Sequence, residues 1–363
     1  MIATRGRRIL AVTTAARASA ILLQPRVRSL SGGKQTPDRV GTIFGTMSIP
    51  QQLDPGSTQE ALKLFKAAGH VEVDTAIMYD GGETERALGV VGLCKDDSFE
   101  VATKANPWFK DGRTHGNEPV AGLQGARVKE QLRLSLASLR TDTVHLFYLH
   151  APDYDTPLEE TLLAVHELRE EGLFVEWGLS NYTAWEVAHI WNMCKMNNWQ
   201  PPSVYQGMYN SVTRAVEAEL IPCLRRLDMR FYAFNPLAGG ILSGKYKFDE
   251  AASTGRYAKG TVMGDRYRER FWHKETFDAL DNVKTLCSKH DVTLPKAALK
   301  WMYHHSALSK DHRDAVIVCG SSVAQIEGNL EVSVDDEPLH QELADGFEGA
   351  WVACKPRCPP YFR

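Results

Sequence analysis

The sequence predicts a (β/α)8 TIM barrel with its functional groups at the carboxyl-terminal mouth, and three observations lead there. From Val40 onward, eight short and nearly continuously apolar β-rich runs alternate with longer amphipathic segments, the pattern of a parallel sheet covered by helices. No G-x-G-x-x-G follows the first run, where an open dinucleotide-binding sheet would carry it. Polar residues close most of the apolar runs, and in a closed barrel that is the face where chemistry happens.

In chain order the runs are RVGTIFGTM, VEVDTA, FEVATKA, TVHLFYLHA, FVEWGLSN, SVYQGMYN, MRFYAFNPL and DAVIVCGSS. Helix-like periodicity occupies residues 59–68, 128–139, 158–171, 185–198 and 216–227 between them. The polar stretch 248–270 after the seventh run is long for a βα loop and reads as a candidate lid.

Composition narrows the partners. The 363 residues are 43% hydrophobic with a net charge of -3, enough for a sizeable core and without the cationic footprint that nucleic acid or an anionic membrane surface requires. No apolar run reaches membrane-spanning length. A small polar or anionic ligand is the expected partner. Seven scattered cysteines without C-x-x-C give neither a disulfide framework nor a zinc knuckle, and they read as reduced thiols. No metal site is expected: His304 and His305 lack a third ligand at usable spacing, and CKPRC has the wrong spacing for zinc. Residues 1–38 carry seven basic residues and no acid before Asp38, which fits a mitochondrial transit peptide ahead of a barrel domain at 39–363; a basic tail on a cytoplasmic chain is the other reading.

The strand-end residues form a coherent set: Asp74, Lys104, His150, Ser180 with Asn181, Gln206 and Asn235. Taken singly, each has an ordinary reading as a cap, a snorkelling stem, a core histidine or a turn former. Together with Tyr79 in the loop after Asp74 they suit carbonyl reduction by hydride transfer. A free phenol, with a pKa near ~10, is a poor acid at neutral pH, and an ammonium beside it would lower that value. Asp74 would hold the Lys104 ammonium, and His150 would hydrogen-bond the substrate carbonyl. The segment GGILSGKY satisfies G-x-x-x-x-G-K but puts Tyr246 where a P-loop needs Ser or Thr, and it lies too late in the barrel order to support a nucleotide-hydrolysing reading.

The motifs DTAIMY, ATKANPW, LFYLHAPD, GLSNY, VYQGMYN, NPLAGGILSGKY and the terminal YFR resemble those of the aldo-keto reductases, and within them the aflatoxin aldehyde reductase subfamily, from about Val40 to Arg363. The resemblance implies NADPH lying extended across the mouth and a tetrad of Asp74, Tyr79, Lys104 and His150. It places Ser180, Asn181 and Gln206 on the nicotinamide carboxamide, with Asp74 also at the cofactor, and Phe234 against its ring. It places Asn235, Pro236, Leu237, Ala238, Gly239, Gly240 and Lys245 around the pyrophosphate, with Arg256 covering it. Ser321, Ser322, Gln325 and Asn329 fall on the adenosine and its 2'-phosphate. Tyr267, Arg270 and Arg363, with His150, fall on the substrate, expected to be an aldehyde or dicarbonyl such as succinic semialdehyde. A homodimer is implied as well. The same fold serves as a redox-sensing β subunit of potassium channels, an alternative from which the transit-like leader points away. Two departures stand out: the long loop after TKANP, and His145 where the family has Asp.

Overall fold

A computed structural model of the chain describes residues 39–95, 98–108, 121–250, 252 and 255–363. The expected leader, most of the long loop after Pro107 and part of the expected lid lie outside the described residues.

Eight strands pair in sequence order, all parallel, and the last closes on the first: β1 (Gly41–Gly45), β2 (Glu72–Asp74), β3 (Glu100–Ala105), β4 (Val144–Leu149), β5 (Phe174–Ser180), β6 (Val204–Met208), β7 (Arg230–Phe234) and β8 (Ala315–Val318). Both faces of each strand are buried, which is why the runs read as continuously apolar. Inward-facing Ile43, Ala102, Leu146, Tyr148, Val204, Tyr232, Ala315 and Ile317 fill the barrel, while Phe44, Val73, Phe147 and Phe231 belong to the layer beneath the helices. The seam between β7 and β8 is short, pairing Tyr232 with Ala315 and Ala233 with Val316, whereas β8 runs along β1 from Gly41 to Phe44.

The five expected helical segments appear as α1 (Pro55–Ala67), α3 (Gly125–Leu139), α4 (Leu158–Glu170), α5 (Ala184–Met196) and α6 (Leu220–Arg226), with α2 (Glu83–Val91) between the first two. Their starts obey capping chemistry. Asp54 accepts the Ser57 N–H at 2.8 Å ahead of α1, and Thr183 with Glu186 forms a reciprocal box ahead of α5. Beyond β7 come α7 (Val262–Phe271), α8 (Lys274–Lys289) and α9 (Leu294–His304); α10 (Val323–Ser333) and α11 (Gln341–Cys354) follow β8.

The stretch expected as a lid is more structured than a polar loop. A 3₁₀ turn, Gly255–Tyr257, and α7 occupy much of it. Tyr257, Tyr267, Trp272 and Tyr246 pack edge to face, and the Tyr257 hydroxyl donates to the Ala238 carbonyl, so aromatic burial overrides the polar composition. His145 lies near the barrel floor, where its Nε2 is 3.2 Å from Glu176 and 3.6 Å from Glu100; burial pulls its pKa down, but these carboxylates raise it on balance. His304 and His305 are taken up by backbone, the first facing the Asp335 carbonyl and the second accepting the Leu339 N–H.

Gly89 shows how closely the outer layer is packed. A Cβ there would stand 2.1 Å from the Ser138 carbonyl oxygen at the end of α3. Gly89→Ala is expected to destabilise the fold by about 1–3 kcal/mol, the usual cost of overpacking, with a lower thermal midpoint in calorimetry. An unchanged midpoint would mean that the end of α3 yields freely.

Candidate active site

The mouth is built around a dry ion pair. Asp74 ends β2 and Lys104 lies in β3, and they are only 4% and 1% exposed, so bulk water screens neither charge. Lys104 Nζ donates to Asp74 Oδ1 at 2.7 Å, to Oδ2 at 2.8 Å and to the Thr75 carbonyl at 2.6 Å. The Tyr79 hydroxyl sits 3.5 Å from the same nitrogen, carried there by a 3₁₀ turn, Tyr79–Gly82. Burial lowers the Lys104 pKa, and Asp74 opposes the shift.

The phenol is not tuned as expected. Burial first, and the Asp74 charge second, hold the Tyr79 pKa well above its ordinary value, while the Arg256 charge pulls the other way. The Lys104 charge is already matched by Asp74, so the site keeps Tyr79 protonated and does not prepare a phenolate. His150 follows β4 with its ring 6.1 Å from the Tyr79 ring, edge on, and 5.3 Å from Trp108. Burial, then Lys104 and Arg363, hold its pKa well below the usual imidazole range, so the ring is neutral at neutral pH. Its Nδ1 is buried without a hydrogen-bond partner among the described residues. A protonated phenol and a neutral imidazole at one mouth can both donate hydrogen bonds to a carbonyl oxygen.

The remaining expected residues ring this centre. Ser180 ends β5, and Asn181 beyond it takes a left-handed conformation, with φ 64°. Its amide nitrogen donates to the His150 carbonyl at 2.8 Å and to Ser180 Oγ at 3.0 Å. Gln206, in mid-strand β6, spends its amide nitrogen on Asp74 Oδ1 at 2.8 Å, so only its oxygen is open to another partner. After β7, Asn235, Ala238, Gly239 and Gly240 all have positive φ, while Pro236 and Leu237 lie between them. Successive turns of this kind aim backbone N–H groups into a concavity suited to an anion. At Gly239 a Cβ would stand 2.4 Å from the Tyr267 ring. GGILSGKY therefore forms an irregular 3₁₀ turn and lacks the strand–loop–helix setting of a P-loop. Lys245 is exposed over the Tyr246 ring.

A dinucleotide fits the donors present. Arg256 is half-buried, and the only polar partner of its guanidinium among the described residues is the Cys319 sulfur at 3.8 Å, which leaves a cation without an anion. Ser322 caps α10 by accepting the Gln325 N–H, Ser321 donates to Gln325 Oε1 at 2.9 Å, and Asn329 donates to the Cys319 carbonyl. No acidic residue stands in the first turn of α10, so its N-terminus is open to a phosphate. Phe234, half-buried, ends β7 beside them.

A sequence profile of the Aldo/keto reductase family matches residues 42–346. The human aflatoxin B1 aldehyde reductase member 2 is 45% identical over 349 residues, covering 93% of this chain and 94% of that protein. The human member 4 is 45% identical over 334 residues, covering 89% of this chain and 97% of that protein. The chain belongs to the aldo/keto reductase family. It is an oxidoreductase enzyme with the family's closed parallel barrel.

Several residues of this aldo/keto reductase's mouth had no single-residue signal in the sequence. Tyr267 is buried in α7, its hydroxyl 3.3 Å from Asn235 Oδ1 and its ring flanked by Arg256 and Arg270, each 5.9 Å away. Arg266, one turn before Arg270, adds a further positive charge. Burial, with Arg266 as the opposing cation, lowers the Arg270 pKa; burial, Arg270 and Arg266 bring that of Arg363 down to about 10. The Arg363 guanidinium lies 5.2 Å from the Trp108 ring, and its backbone N–H donates to the Asn181 carbonyl at 3.0 Å.

Glu85, like Arg266, has no counterpart among the expected site residues. It projects from α2 behind β3 and accepts from Thr103, the neighbour of Lys104, and burial pushes its pKa up to about 7. The folded chain therefore binds more protons than the unfolded chain between the ordinary carboxylate pKa and 7, and stability falls as pH rises through that window. Glu85→Gln should remove a loss of about 3 kcal/mol between pH 4 and pH 8. Urea unfolding at both pH values checks this, and equal slopes in variant and parent would count against it.

Proposed function

We propose that this enzyme uses NADPH to reduce aldehydes and dicarbonyls to alcohols, with Tyr79 as proton donor. The observation that carries the reading is the protonated Tyr79 phenol beside the dry Asp74–Lys104 pair at the barrel mouth. NADPH supplies the hydride when bound. Ser180, Asn181 and Gln206 would hold the carboxamide and Phe234 the ring face. Asn235, Pro236, Leu237, Ala238, Gly239, Gly240 and Lys245 would hold the pyrophosphate under Arg256. Ser321, Ser322, Gln325 and Asn329 would hold the adenosine 2'-phosphate, in keeping with the absence of an acidic residue to engage a free ribose.

His150 orients the carbonyl oxygen through a neutral N–H, and Tyr79 gives its proton to the alkoxide as it forms. Lys104 stabilises the tyrosinate left behind, and Asp74 keeps Lys104 charged and fixed. Tyr79→Phe keeps the ring and removes only the proton donor. It should leave NADPH affinity within about twofold by fluorescence titration while kcat for an aromatic aldehyde falls by about 100-fold or more. Retention of more than about a tenth of kcat would assign the proton to another group.

The substrate reading rests on Arg270, Arg363 and Arg266, none of which has an ion-pair partner within 4 Å among the described residues, and which suit a carboxylate or second carbonyl oxygen at the far end of a short aldehyde. The names of the relatives, aflatoxin B1 aldehyde reductases, agree with an aldehyde substrate. The acid-free basic leader supports a mitochondrial location, and the family resemblance supports a homodimer. Arg270→Met should raise KM for succinic semialdehyde about tenfold or more and barely change KM for 4-nitrobenzaldehyde, since a charge-assisted pair contributes ~1.5–3 kcal/mol. Parallel losses on both substrates would mean that Arg270 shapes α7 and does not read the carboxylate.

A further inference from the structure

The geometry points to a divalent transition-metal site at the junction of α8 and α11, held by His290, His340 and Glu342, away from the residues assigned to the mouth. His290 follows the last turn of α8, His340 caps α11, and Glu342 stands in the first turn of α11. One donor atom from each of the three lies within 4.8 Å of the other two. His290 Nε2 is 2.8 Å from Glu342 Oε2, and the two imidazoles are stacked with centroids 4.3 Å apart and planes 29° apart.

Two imidazoles and one carboxylate are a borderline-soft donor set. Zn²⁺, Ni²⁺ and Cu²⁺ take such sets readily, whereas Ca²⁺ and Mg²⁺ require oxygen-rich ones. Tetrahedral zinc with bonds near ~2.1 Å places its ligands roughly 3.4 Å apart, so the three donor atoms, all within 4.8 Å, reach that spacing by side-chain rotation that also turns the two stacked rings toward one point. Three protein ligands leave a fourth position for water.

The scaffold beneath is rigid. Val283 and Cys287 of α8 and Leu343 and Phe347 of α11 are buried in one core, and a Cβ on Gly346 would stand 2.6 Å from Leu286 Cδ1, so the helices are already in close contact. The Glu342 backbone N–H donates to His340 Nδ1 at 3.2 Å, so this lone pair is engaged while the ion is absent, and an ion that takes His340 displaces this hydrogen bond.

Lys289 reveals what holds the site meanwhile. Its ammonium spans both Glu342 oxygens at 2.7 and 2.8 Å, supplying the positive charge that an ion would bring. The Lys289 side chain is 62% exposed, so it can swing into solvent with little loss. A cation and Lys289 therefore compete for one carboxylate. The sequence gives no motif for this site because its ligands come from two segments that only the barrel's outer layer brings together.

The test is calorimetric titration of tag-free, full-length, chelator-stripped protein with zinc chloride in a buffer that does not bind zinc. One saturable site per chain is expected, weakened about tenfold or more by His290→Ala, by His340→Ala and by Glu342→Gln. Lys289→Met should tighten the same site, because the competing cation is gone. Zinc should also raise the thermal midpoint of the parent and not of the ligand variants, since the ion binds only where α8 and α11 are packed. No saturable binding up to about 100 μM zinc would overturn the assignment. So would zinc binding that survives all three ligand substitutions, which would place the ion on the thiols.

Discussion

The contact between Asp74 and Lys104 organises the catalytic end of the barrel. Two opposite charges taken out of water are tolerable only if their remaining donors and acceptors are also matched, and here the Thr75 carbonyl and the Gln206 amide complete the set. That requirement ties β2, β3 and β6 to a common height across the barrel. It also explains why Gln206 turns toward the carboxylate, and why Tyr79 meets an ammonium whose charge is already engaged. A network this fully matched fixes the position of the phenol more than it changes the phenol's acidity.

Around that centre, positive charge stands largely without ion-pair partners among the described residues. Arg256 faces a thiol and a ring, Arg270 and Arg363 face each other with Arg266 nearby, and the N-terminus of α10 is free of acids. Elsewhere the same chain pairs its arginines with care: Arg225 bonds Asp314, Arg230 bonds Glu176, and Arg214 bonds Glu217 and Glu348. The contrast marks the mouth as a place prepared for anions. Aromatic rings separate the cations there, with Tyr267 between Arg256 and Arg270 and Trp108 beneath Arg363, which spaces like charges without neutralising them.

The barrel was legible in the sequence because a parallel strand buried on both faces has to be apolar throughout, so a polar residue at its end is conspicuous. Asp74, Lys104 and His150 stood out for that reason. Tyr79 is read only in company with them, since one tyrosine in a loop carries no signal of its own. The acidity of that phenol departs from the expectation, because spacing tells which charges are near and does not tell how dry the site is. Glu85 and Arg266 carry no signal in the sequence because each stands among polar neighbours, where a charge normally means solvent. The stretch 248–270 looked like a lid for its polarity, but Tyr257 and Tyr267 are buried and anchor much of it to the barrel.

The short pairing between β7 and β8 has a bearing on motion. Strand β8 is held along its length by β1 but meets β7 at only Tyr232 and Ala233, after the three helices α7, α8 and α9 have intervened. Backbone amides along this seam have the fewest ladder bonds to break, which makes it the natural place for the barrel to breathe and for hydrogen exchange to begin. Asn235 to Gly240 leave the barrel on one side of the seam and Ser321 to Asn329 on the other. Any opening of this seam would therefore shift these two segments, proposed above to hold the cofactor, relative to each other.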